Sequence, residues 1–206
     1  MCKYAAESDV ARSVVEKLLG ANGPFQNDDY LQTQSGARFF LALTEANPKA
    51  ALACLKRTIG TWSRENLLEF TIGRREVVWA LERIAMWRDL FTGAAQLLLA
   101  LGEAENESWA NNASGVFTGL FSLAPGELAP TQAPPQERLS VLKEALKSSS
   151  KKRRLLAIHA CNKALESQYF FRDVGAEYQG LRNVPNKHME NSSRHTARYG
   201  SFSIAN

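Results

Sequence analysis

Hydrophobic positions recur along this chain at helical spacing, and no stretch alternates with period two long enough to read as a strand. Over residues 8–19, Val10, Val14, Val15, Leu18 and Leu19 share one side, Ser8 and Asp9 offer caps, and Gly20 offers a stop. Asn22-Gly23-Pro24 and Asn27-Asp28 then mark a loop. A second helix is expected over 37–46, with Phe39, Phe40, Leu43 and Ala46 inward. Pro48 closes it and opens a third over 48–59, since proline fits a first helical turn but not a helix interior. That helix buries Ala51, Leu52, Leu55 and Ile59, and an amphipathic turn over 63–70 carries Leu67, Leu68 and Phe70.

The stretch 73–121 is the most distinctive. Within 74–87, Val77, Val78, Leu81, Ile84 and Ala85 form one wide helical face. Residues 90–101 are apolar nearly all round, which predicts a central helix. A further helix over 109–121 would turn Trp109, Ala113, Val116, Phe117, Leu120 and Phe121 inward. Trp79, Trp87 and Trp109 read as packing between helices, with an aromatic binding cage as the alternative. Residues 122–134 form a long loop with Pro125, Gly126 and Pro130, expected to project from the surface. Pro135 opens a helix with Leu139, Leu142, Ala145 and Leu146 inward, and residues 151–165 form the last one.

The chain is therefore expected to be all-α, with ~8 helices joined by mostly short connections. Antiparallel helix pairs follow at roughly 40-residue intervals, as in an irregular HEAT- or armadillo-like array, with a helical bundle as the close alternative. The segments PKAALACLKRTI, FTGAAQLLLAL and RRLLAIHACNKAL share a loose small-then-leucine pattern. One helical domain over 1–182 and an irregular tail over 183–206 are expected.

Composition narrows this little. The chain has 206 residues, 45% hydrophobic and 22% charged, with net charge +4. That balance permits a nucleic-acid partner without arguing for one. Cys2, Cys54 and Cys161 are odd in number and far apart, the usage of reduced intracellular thiols. MCKYAAESDV lacks the apolar core of a signal peptide, and the run 94–101 is too short to span a bilayer. A cytoplasmic protein away from membranes is expected.

Nucleotide-binding glycine loops, HExxH, paired CxxC and GxSxG are all absent. His159 and Cys161 lie two positions apart on a helix and so point to different sides. No catalytic residue, cofactor or metal is expected. Glu103, Glu105 and Glu107 run into Asn106, Asn111 and Asn112. They offer either a cation or recognition site, or a solvated helix end with asparagine caps. Lys151, Lys152, Arg153 and Arg154 place four cations at a helix start, against the helix dipole. Either an anionic partner (a nucleic-acid backbone, or an acidic surface of another domain) or a solvated charge run accounts for them. No aromatic residues are interleaved with these charges, which weakens the nucleic-acid version. The candidate partner-binding residues are thus Lys151, Lys152, Arg153, Arg154, Glu105, Asn111 and Asn112.

Three phrases, GRREVVWALE at 73–82, AENESWANNASG at 104–115 and VGAEYQG at 174–180, resemble the helical region of large bacterial STAND-class P-loop NTPases. Some of those act in defence against phage. In them a nucleotide-binding module precedes helical arrays that sense a partner or relay its binding. The resemblance covers about residues 36–182. This chain has no P-loop, so the resemblance implies a sensor or scaffold segment and carries over neither ATPase activity nor a catalytic residue. The pattern stops after Gly180, where a family member would continue into helix, which suggests a truncated or frameshifted product. A non-enzymatic interaction module bound to a protein partner or adjacent domains is the leading expectation. A nucleic-acid-associated protein using residues 151–154 is the runner-up.

Overall fold

The computed structural model describes residues 8–124 and 129–167, and every regular element among them is helical. The nine α-helices are α1 Asp9–Leu19, α2 Gln34–Ala46, α3 Pro48–Arg57, α4 Arg64–Glu69, α5 Arg74–Ala85, α6 Arg88–Glu103, α7 Ala113–Gly119, α8 Pro135–Leu146 and α9 Lys151–Leu165. Two short 3₁₀ turns, Asp29–Gln32 and Ile59–Thr61, complete the set. The all-α expectation holds, with one helix more than the spacing suggested. The phrase at 174–180 and the tail expected over 183–206 lie outside the described residues.

Side-chain caps fix most of the helix starts. Ser8, Thr33, Asn47, Ser63, Asn112 and Ser150 each accept a backbone N–H from the first turn of the helix that follows. Thr33 therefore starts α2 at Gln34, earlier than hydrophobic spacing alone suggested. Gly73 opens α5 with φ of 80°, and a Cβ there would lie 2.2 Å from the carbonyl oxygen of Leu31. Both the left-handed backbone and the close approach require glycine.

Helix α6 is central. It packs against α3, α4, α5, α7, α8 and α9, and buries Phe91, Ala94, Ala95, Leu98, Leu99 and Leu101. The expected α5 face is also observed, with Val77, Val78, Leu81, Ile84 and Ala85 all buried. The three leucine-patterned segments become α3, α6 and α9, and α6 packs against both of the others. No helix among the described residues is long and apolar enough to cross a membrane.

Several expectations are corrected. Trp109 precedes α7 and is 48% exposed, because the Asn112 cap starts that helix later than hydrophobic spacing implied. Phe39, Val10, Val14 and Leu68 are exposed too. On α8 the buried positions are Arg138, Val141, Leu142 and Ala145, while Leu139 and Leu146 face outward. The inward face is rotated because a charged residue occupies it. Arg138 donates from Nε to the Ala133 carbonyl at 2.8 Å, and from Nη1 to the carbonyls of Leu120 and Ser122, both at 3.1 Å. Burial pulls its pKa down to about 10.

The same arginine corrects the loop between α7 and α8. The described residues on either side of 125–128 do not project. Ser122, Ala124, Thr131 and Ala133 are buried, and the Thr131 hydroxyl donates to the Ala85 carbonyl at 2.6 Å. A long connection full of backbone polar groups lies down on the core only when partners satisfy them, and Arg138 and Thr131 do so here.

Candidate functional site around Glu105 and along α9

The acidic segment after α6 is a fastening point. Glu105 Oε1 accepts from the backbone N–H of Asn106 and Glu107 at 3.2 and 3.3 Å, and Oε2 accepts from Ser114 N–H at 2.9 Å, inside the first turn of α7. Its Oε1 also lies 3.5 Å from Nη2 of Arg74. Asn106 Nδ2 donates to the carbonyls of Leu68 and Phe70, tying the segment to the turn before α5. Asn112 Oδ1 caps α7 through Gly115 N–H at 2.9 Å, while its Nδ2 donates to the Glu107 carbonyl at 2.9 Å. Asn111 is half-buried and makes no side-chain hydrogen bond among the described residues. The asparagine-capped helix end is thus the observed arrangement, but Glu105 is engaged on both oxygens instead of solvated.

Arg74 explains why. It is fully buried in the first turn of α5. Its Nη1 donates to the Leu67 carbonyl at 2.7 Å and to that of Phe70 at 3.4 Å; its Nη2 donates to the carbonyls of Leu101 at 2.8 Å and Ala104 at 2.9 Å. Burial lowers its pKa, and the carboxylates of Glu105 and Glu107 oppose that shift. Nothing local in Gly73-Arg74-Arg75 marks the first arginine as the buried one. The acidic cluster some thirty residues on was the available signal, since a semi-buried carboxylate needs a cation or donors.

Arg75, one position on, is exposed. Its guanidinium carbon lies over the Trp109 ring at 4.6 Å from the centroid, and 5.7 Å from that of Trp79. Two of the three tryptophans read as core thus flank an exposed cation.

The four-cation run divides. Arg153 pairs with Glu103 at the end of α6. Arg154 Nη1 folds back onto the carbonyls of Ser148 and Ser149, at 2.7 and 2.8 Å. Those contacts offset the unfavourable dipole position by fastening α9 to α6 and to the turn before it. Lys151 and Lys152 are exposed and make no ion pair among the described residues. Beside Arg153, a groove of about 330 Å³ runs between α6 and α8, walled by Gln96, Leu99, Val141, Glu144 and Lys147.

Helix α9 is apolar on two sides. Leu156, Ala157 and Ala160 face the core, while Leu155 and Ile158, each 48% exposed, and Leu165, 84% exposed, face outward. His159 is exposed and Cys161 half-buried on its flank. No three His, Cys, Asp or Glu residues converge among the described residues. Compared with protein-family models, curated proteins and solved structures, the chain finds no match.

Proposed function

We propose that the chain is a non-enzymatic helical interaction module acting in the cytoplasm, a segment of a larger signalling or defence assembly of the kind its sequence resembles. The outer face of α9 carries this reading. A helix on the surface of a packed domain in water ordinarily turns a polar side outward. Here Leu155, Ile158 and Leu165 stand outward instead, on a helix whose sequence KKRRLLAIHACNKAL contains no acidic residue. Charge complementarity selects the partner: an amphipathic helix with a leucine seam flanked by aspartate or glutamate. Lys151 and Lys152, left free by Arg153 and Arg154, supply the flanking contacts. A nucleic-acid backbone fits less well, because two of the four cations are already committed within the chain.

The test is fluorescence anisotropy of a labelled synthetic helix with a leucine seam and glutamate flanks, titrated with the full chain. Binding should weaken at least about tenfold with Ile158→Glu, and a lysine-flanked version of the helix should not bind. Equal binding of both helices, or binding indifferent to Ile158→Glu, contradicts the proposal.

A further inference from the structure

We propose that Arg75, set over Trp109 and Trp79, anchors a second contact surface, one that receives an aspartate or glutamate side chain next to an apolar residue of a protein segment. This rests on the interaction-module reading, but uses none of the residues of α9.

Arg74 and Arg75 are adjacent and opposite in fate. The first donates from its two terminal nitrogens to four carbonyls within the core. The second is exposed, lies over two indoles, and makes no hydrogen bond or ion pair among the described residues. The carboxylates of Glu76 and Glu105 are engaged elsewhere. Glu76 accepts from Gln34 and lies 3.8 Å from Arg38, while Glu105 holds the start of α7. Contact with an aromatic face restricts the arginine side chain without consuming its N–H fork. Less entropy then remains to be lost when a carboxylate docks against two parallel donors.

Exposed apolar side chains precede Arg75 in the chain and follow Asn106. Trp109 is half-exposed, and Ile72 and Leu68 are exposed in the turn and helix leading into α5. Asn106 bonds to the carbonyls of Leu68 and Phe70, which holds the segment leading to Trp109 against that turn. Tryptophan and arginine are enriched among the residues that dominate protein interfaces. Glu105 and Glu107 act on the adjacent Arg74, so acidic charge stands close to this surface as well, which suits a protein segment and opposes a phosphate backbone.

The test pans a random-peptide phage library against the immobilised full chain, keeping clones that still bind the Ile158→Glu variant. Enriched peptides should carry Asp or Glu beside Leu, Ile or Phe. Their affinity should fall at least about tenfold with Arg75→Gln and with Trp109→Ala, in variants whose thermal melts show an intact fold. Arg75→Lys should fail to restore binding, because it keeps the charge but not the planar fork. Failure of any peptide to enrich overturns the proposal, as does enrichment without acidic residues or full binding by Arg75→Lys. Arg75-dependent retention of single-stranded DNA overturns it in favour of a nucleic-acid site. None of these outcomes bears on the α9 face, which Ile158→Glu reports separately.

Discussion

Arg74, in the first turn of α5, donates across 2.9 Å to the carbonyl of Ala104, the C-cap of α6. The same guanidinium holds Leu67 and Phe70 on its other nitrogen. One side chain therefore fastens the end of α4, the start of α5 and the end of α6, and pairs with Glu105, which in turn holds the start of α7. Arg74→Met should destabilise the fold by about 3–5 kcal/mol, since it strands buried carbonyls and a partly buried carboxylate. Arg74→Lys should be intermediate, because one ammonium cannot span both pairs of carbonyls. Urea unfolding of the two variants measures this, and a loss below about 1 kcal/mol for Arg74→Met would show that water replaces the arginine.

Trp109→Ala should leave the protein folded. Its ring is half-exposed, and its contact with Arg75 is a surface cation–π pair of about 0.5–1 kcal/mol. A small shift in the urea midpoint is expected. Wholesale unfolding would restore the reading of Trp109 as a core residue.

These two residues show where the sequence was legible. The face of Val77, Val78, Leu81 and Ile84 followed from spacing alone, and so did the all-apolar α6, because burial of a helical stripe is written into its period. Trp109 falls outside α7 because apolar residues extend upstream of the Asn112 cap that starts the helix. Arg74 and Arg138 were missed for the opposite reason. A charged side chain becomes a core residue only when carbonyls from distant segments converge on it, and no local pattern records that. The division of the 151–154 run was hidden likewise, since Glu103 meets Arg153 only through the packing of α6 on α9.

Glu103 gives a pH signature. Desolvation opposes its ionisation, but hydrogen bonds from Ser150 and Arg153 together with the Arg153 charge outweigh that and hold its pKa below the ordinary 4.5. A carboxylate whose pKa is depressed on folding contributes stability that is present above the unfolded value and lost as pH falls through the folded one. The gap in melting temperature between the wild type and Glu103→Gln should therefore be constant at neutral pH and close progressively below pH 4.5. A gap independent of pH would mean that the Arg153 pair adds nothing to the fold.

Cys54 should be chemically silent in the folded protein. It is buried beneath the carbonyl of Phe25, and desolvation pushes its thiol up to about 11, against the lowering effect of Arg57. Iodoacetamide at pH 8 followed by peptide mass spectrometry should label Cys161 well before Cys54, with Cys54 modified only when denaturant is added. Equal rates at the two positions would place Cys54 at an accessible site.

Cys161 reports on the central claim directly. It lies one turn beyond Ile158 and one turn before Leu165, on the flank of the outward face of α9. The decisive measurement is its alkylation rate in the full chain with and without the glutamate-flanked helix at saturating concentration. An interaction module that docks through this face predicts several-fold slower labelling of Cys161, with no protection in the Ile158→Glu variant. Unchanged labelling while the helix is demonstrably bound would place the partner elsewhere and contradict the account.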